Sequence, residues 1–219
     1  MGYIMLLETI IGELIKGMIT TVEIFSLTLL FSIPLGLVVC SFRRSGNKIL
    51  TGIMRVFISI MRGTPLMLQL IVIFFGPYFL FGFHLSQTYR FIAVIIAFTL
   101  NYSAYFAEIF RGGFESIPKG QLEAAQILGY SKNQTFVQIM MPQMFRITMP
   151  SITNEKITLV KDISLAFVIA IPEIFTVAKQ IAAANASITI LLIAGVFYYV
   201  FNALVAYIMS YIEQQMTYY

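Results

Sequence analysis

The chain has 219 residues, 59% of them apolar and 11% charged, against about 45–50% and about 25% in an ordinary soluble domain, and its mean hydropathy is +0.87. A single water-soluble globule is excluded, and so is one anchor on a soluble body, because one span of about 20 residues could not carry the mean that high. The net charge of +4 is scattered between apolar runs, which does not fit nucleic-acid binding, while a lone Cys40 and a lone His84 leave no intrachain disulfide and no Cys/His metal centre.

From the N-terminus, Glu8 and Glu13 stand where a cleavable signal peptide would carry basic residues, so none is expected. Runs free of Asp, Glu, Lys and Arg then cover 24–42, 63–89, 91–107 and 180–212. Each is long enough, or nearly so, to cross a bilayer as a helix at about 1.5 Å per residue. The second and last exceed one crossing and are expected to include an interfacial or external segment. A fifth hydrophobic stretch, 147–172, is interrupted by Glu155, Lys156, Lys161 and Asp162. The expected architecture is all-α: one transmembrane domain over 1–219, with five spans at about 18–42, 55–81, 88–111, 147–172 and 187–212.

Orientation follows the positive charge in short loops. Arg43, Arg44, Lys48 and Arg55 follow the first span without an acid, and Arg111, Lys119, Lys132 and Arg146 flank the loop after the third. Both loops are assigned to the cytoplasm, which puts the N-terminus outside and the C-terminus inside. Pro34 and Gly36, Gly63 and Pro65, and Gly76-Pro77 mark places where spans can bend.

The loop over about 112–146 is too long for a mere connection. It holds two helix-forming stretches, 121–128 and 132–140, separated by Gly129-Tyr130-Ser131, and these are expected to lie along the cytoplasmic face as two short helices. Within it, Glu123-Ala124-Ala125 is followed after three residues by Gly129, after nine more by Ile139, and after two more by Pro142. This spacing resembles the EAA signature of permease subunits of ABC importers, with Met141 where that consensus has Leu. The segments Arg62-Gly63-Thr64-Pro65-Leu66, 105–113, Pro118-Lys119-Gly120-Gln121 and Leu159-Val160-Lys161-Asp162 are similar to the polar amino-acid branch of these permeases. Ile163 departs from it where the branch commonly has a hydroxyl residue.

The resemblance implies a type I ABC importer permease that carries polar amino acids through the cytoplasmic membrane. It implies two cytoplasmic ABC ATPase subunits, a second permease subunit (a copy of this chain or a sister) and an extracytoplasmic amino-acid-binding protein. No cofactor would be bound by this chain, and ATP with Mg would be used by the ATPase subunits. It also implies that Gln121, Glu123, Ala124, Ala125, Leu128 and Gly129 dock on the motor. Small alanines permit close approach, Gly129 can take the left-handed backbone needed to leave the helix, and Glu123 either pairs with a partner's base or caps its own helix. The chain itself has no Gly, four residues, Gly-Lys-Ser/Thr phosphate loop, so no catalysis is expected of it.

Charges at membrane depth propose a pathway. Ser151, Asn154, Glu155, Thr158, Lys161 and Asp162 recur at i, i+3, i+4, i+7 spacing and form one polar stripe expected to face the bundle interior; a structural ion-pair network is the alternative. Asn101, Ser103 and Glu108 are added from the third span, because a zwitterion needs donors for its carboxylate and an acceptor for its ammonium. Two other readings stay open: an importer permease for methionine, phosphonate or an oxyanion, and a carrier or channel that works without a motor.

Overall fold

The computed structural model describes residues 2–217, with side chains over 8–216. No strand occurs among the described residues. Helix α1 (Gly2–Arg43) is followed by α2 (Lys48–Gly63), α3 (Leu66–Phe81) and α4 (Gln87–Glu115). Short α5 (Lys119–Ile127) leads through α6 (Lys132–Gln134) and a π-helical stretch, Thr135–Met140, into α7 (Met141–Asp162). A 3-10 segment, Ile163–Ile169, then α8 (Ile174–Ala184) and α9 (Thr189–Thr217) complete the described fold.

Among the described residues, three helices are long and apolar enough to cross a membrane: Glu8–Arg43, Gln87–Glu115 and Thr189–Met216. They cover the first, third and fifth expected spans. The second, expected over 55–81 with bend signals at Gly63 and Pro65, is not one rod. It is α2 and α3, bent by 107° at Thr64-Pro65. Proline fixes its own φ and pushes the residue before it to extended backbone, and Thr64 duly stands at φ −121, ψ 148. The fourth expected span is α7 plus the 3-10 segment, whose charges keep it below the apolarity of the other three.

Helix α4 is the centre of the bundle. One face carries Phe98, Tyr102, Phe106 and Phe110, all buried, at the four-residue spacing that aligns side chains along a helix, and Ala93, Ala97, Ala104 and Ala107 let neighbours approach. Its main neighbour is α1. A Cβ added at Gly36 of α1 would stand 2.7 Å from Phe106 Cβ, so only glycine lets these two backbones pack at this separation. At the other end of α1, a Cβ on Gly17 would meet Ile174 Cα at 2.9 Å. There the first turn of α8 wedges against α1, and Ile10, Leu14, Ile174, Ala178, Ile190 and Ala194 form a second, smaller core.

The expected pair of short helices on the loop is half right. The first exists as α5, and Gly129 takes the left-handed backbone expected of it, at φ +80. The second is no separate helix: Ser131 and Gln134 form a capping box and the chain runs on into α7. Pro142 has no N–H to give to the helix ladder, and the wider π turn, with Met141 N–H donating to Phe136 O, carries the backbone past it.

Candidate functional site

The break at Thr64-Pro65 builds one wall of a cavity. Breaking a helix orphans its last carbonyls, and here two side-chain amides take them. Gln69 Nε2 donates to Met61 O (2.9 Å), Thr64 O (3.2 Å) and Thr64 Oγ1 (2.8 Å). Asn101 Nδ2 donates to Met61 O (2.9 Å) and Gln69 Oε1 (3.0 Å). Asn101 was expected to meet substrate; its amide N–H groups instead pin the break to α4, and its amide oxygen is what remains.

Next to this knot lies a cavity of about 300 Å³, lined by Thr64 and Leu66 at the break, Asn101, Tyr102 and Tyr105 of α4, and Glu155, Thr158, Asp162 and Leu165 beyond. Tyr102 Oη donates to Asp162 Oδ2 at 2.7 Å, which orients that carboxylate, and the Arg62 guanidinium lies 5.2 Å from the centre of the Tyr105 ring. The volume is that of a small-ligand pocket. Its lining offers two carboxylates, hydroxyls and an amide oxygen, with a guanidinium nearby.

Of the expected path residues, Asn101, Glu155, Thr158 and Asp162 thus converge. Ser103 does not: it is fully buried and its hydroxyl donates back to Leu100 O at 2.8 Å, a local helix bond. Glu108 does not either. It lies in an ionic cluster toward the C-terminal end of α4, in contact with Arg43, 2.9 Å from Arg111 and 4.0 Å from Arg62, and Arg111 also pairs with Glu115 at 2.5 Å. Asn154 and Lys161 are exposed and do not line the cavity. Tyr102 and Tyr105, which the third span offers beside Asn101, line the cavity as well; Thr64 was missed, and the Gly-Thr-Pro break was the available signal, since it predicts backbone groups that need partners.

The polar stripe of α7 does not face the interior of this chain's bundle. Ser151, Asn154, Thr158 and Lys161 are exposed and Glu155 and Asp162 half-buried, while Ile152, Leu159, Val160 and Ile163 are buried. The apolar side of α7 takes the core, and the charged side opens outward.

At the same end of the bundle, α5 presents a face of its own. Ala125 is 2% exposed, whereas Ile127 is 86% and Leu128 75% exposed; Gln121, Glu123, Ala124 and Gly129 are exposed with them. Of the two alanines, then, Ala125 is packed and Ala124 open. The N-cap, Pro118, makes no side-chain cap bond, and Glu123 forms no hydrogen bond or ion pair among the described residues, so it does not cap its helix. Gln143 Nε2 donates to Gln121 Oε1 at 2.6 Å, which ties α5 to α7. Ile127 and Leu128 are thus contiguous exposed apolar residues in a segment that is not a span.

Comparison with known proteins agrees with this geometry. Residues 32–218 match the family described as the binding-protein-dependent transport system inner membrane component. The arginine transport system permease protein of Bacillus subtilis (strain 168) is 34% identical over 93% of this chain and 92% of its own length. The L-cystine transport system permease protein of the same strain is 34% identical over 91% of this chain and 85% of its own. Among solved structures, an amino acid ABC transporter with histidines superposes with a TM-score of 0.86 at 26% identity, covering 96% of this chain and 97% of that one. A methionine ABC transporter in an inward-facing conformation shares the fold, with a TM-score of 0.74 at 16% identity.

Proposed function

Because the chain belongs to the family of binding-protein-dependent transport system inner membrane components, we propose that it is a permease subunit that moves polar amino acids through the membrane at the expense of ATP hydrolysed on separate subunits. The observation that carries this reading is the cavity of about 300 Å³ beside the open polar face of α7. A helix at membrane depth cannot turn Asn154, Lys161 and the half-buried Glu155 and Asp162 toward lipid without a cost of about 2.5–3.5 kcal/mol per charge. A second permease subunit covers that face, and the path runs between the two.

In the cavity, Glu155 and Asp162 receive the ammonium of an amino acid, and Arg62 and the Tyr105 hydroxyl offer donors for its carboxylate, the Thr64 and Thr158 hydroxyls being already donated to Ile60 O and Asn154 O. The exposed face of α5 seats in an ATPase subunit on the cytoplasmic side, the side assigned by Arg43, Arg44, Lys48 and Arg55; the N-terminus is outside. Motion of the motor reaches the cargo over a short route. Gln121 of α5 is bonded to Gln143 of α7, Leu122 packs on the main core, and α7 carries both cavity carboxylates. Shifting α5 therefore shifts the wall of the path, as alternating access requires. A binding protein delivers cargo to the outer end, and this chain makes and breaks no covalent bond.

The test is uptake into vesicles that contain the purified complex, its ATPase and its binding protein, offered labelled arginine, histidine, glutamine and cystine. ATP-dependent uptake of at least one is expected. Uptake that persists without ATP overturns the importer reading in favour of a carrier, and uptake of methionine, a phosphonate or an oxyanion alone overturns the cargo.

A further inference from the structure

Glu23 of α1 and Arg90 of α4 stand at the end of the bundle opposite the docking face. From Glu23 to Arg43 is 20 residues and from Arg90 to Glu108 is 18, or about 30 and about 27 Å of helix. Arg43 meets Glu108 at the inner end, and Glu23 and Arg90 line one cup of about 350 Å³ at the other, with Gln87, Ala170 and Pro172. The two charged layers are thus separated by about one hydrocarbon thickness, which puts Glu23 and Arg90 at the headgroup level of the leaflet opposite the docking face, the outer leaflet in the orientation proposed above.

An apolar groove of about 800 Å³ leads from that cup, sharing Glu23 and Phe91 with it and lined by Met18, Val22 and Phe197. It continues along α9 past Val200 and Leu204 for about another 420 Å³. The charges at its head are unequal to a mere ion pair: no salt bridge joins them among the described residues, Glu23 is exposed, and Arg90 Nε is enclosed with no hydrogen-bond partner. Arg90 is nevertheless held in place, with Nη1 donating to Ala170 O at 3.3 Å and the guanidinium 5.9 Å from the centre of the Phe74 ring.

We propose that this groove binds one phosphatidylethanolamine molecule of the outer leaflet, with its acyl chains along α1 and α9, its phosphate on Arg90 and its ammonium on Glu23. A guanidinium matches a phosphodiester as a forked donor, and a carboxylate next to it selects a headgroup that ends in a hydrogen-bonding cation. Phosphatidylglycerol lacks the cation and phosphatidylcholine lacks the N–H donors. The site is separate from the cargo cavity, so transport reading and lipid reading fail independently.

The assembled complex, purified in mild detergent and exposed to equal amounts of phosphatidylethanolamine, phosphatidylglycerol and phosphatidylcholine, is read by native mass spectrometry. Retention of phosphatidylethanolamine at about three times either competitor is expected, the ratio that a partly exposed ion pair supplies. Glu23→Gln abolishes that preference, Arg90→Gln lowers retention of all three lipids, and Val22→Trp fills the groove and releases phosphatidylethanolamine with both charges intact. Should Arg90→Gln fail to assemble, Glu23→Gln and Val22→Trp decide, since both side chains are exposed. Equal retention of the three lipids by the wild type, or unchanged preference in Glu23→Gln, overturns the proposal. So does disulfide trapping of Val22→Cys against the second permease subunit, which would make the groove a protein interface.

Discussion

Asp162 and Glu108 are carboxylates on neighbouring helices of one membrane bundle, and their partners give them opposite work. Asp162 accepts one hydrogen bond from Tyr102, at 2.7 Å, and still lines open space. Glu108 is enclosed by Arg43 and Arg111, leaving nothing for a cargo. Replacing Asp162 by Asn removes a charge from the cavity wall but keeps an acceptor for Tyr102; uptake in vesicles should drop about tenfold or more, roughly the 1.4 kcal/mol or more of a lost charged contact, with the complex assembled. Glu108→Gln should leave the affinity for cargo unchanged and lower the thermal midpoint of the purified complex. The loss should stay under the about 3–5 kcal/mol of a fully buried pair, because Arg43 and Arg111 keep some access to water. A loss of cargo affinity in Glu108→Gln would return that residue to the path. Hydropathy alone flags both acids as expensive, since the cost of a charge at depth is the same for a cavity and for an ion cluster; Arg111, three positions from Glu108, is a local hint of the cluster, while Tyr102 and Arg43, the partners 60 and 65 positions away, have no local pattern to announce them.

Elements show the same division. The three apolar spans and the Gly129 turn were legible because period and backbone conformation are local properties. The broken second span was legible only as punctuation: Gly63 and Pro65 signal a bend, while its size and its partners depend on Gln69 and Asn101 arriving from other turns. Gln69→Leu should show how much the break depends on them. It leaves Thr64 O without its side-chain donor, an unsatisfied group costing about 1–3 kcal/mol, and removes one of two partners from Met61 O and from the Asn101 N–H groups, which keep each other, so a fall in folded yield and in thermal midpoint is expected; an unchanged midpoint would mean that water serves Thr64 O. Helix α5 is a different kind of element, since its outer face stabilises nothing within the chain. Glu123→Lys combined with Gly129→Asp puts a reversed charge in the docking face and a side chain at φ +80, where a non-glycine residue costs about 1–2 kcal/mol. Membrane insertion should be normal and co-purification of the ATPase strongly reduced. Undiminished recovery of the ATPase would remove α5 as the joint.

At the scale of the whole molecule, the stripe on α7 was read correctly as a periodic polar face and assigned to the wrong interior. Helical spacing says which residues share a face, and the rule against charge in lipid says that the face must be covered; neither says whether this chain or another covers it. The buried Ile152, Leu159 and Ile163 answer for this chain, because the core takes the apolar side of α7 and leaves the polar one uncovered, free for the second permease proposed above. That assignment has a direct consequence for crosslinking. Cys40 is the one native cysteine and is buried, so in a Cys40→Ala background a cysteine placed at Asn154 or Lys161 reports only its own surroundings. Oxidation should give a species of twice the permease mass when this chain pairs with itself, or, where the partner is a sister chain carrying its own cysteine at the matching position, a mixed dimer, since a disulfide forms where two Cα atoms come within about 4.4–6.8 Å and a bis-maleimide spans longer gaps. Leu192→Cys, on the exposed face of α9, is the control that should stay unlinked to another permease. If Asn154→Cys and Lys161→Cys remain single chains with both reagents in the assembled complex, the charged face of α7 does not meet a second permease, and the path cannot run between the two.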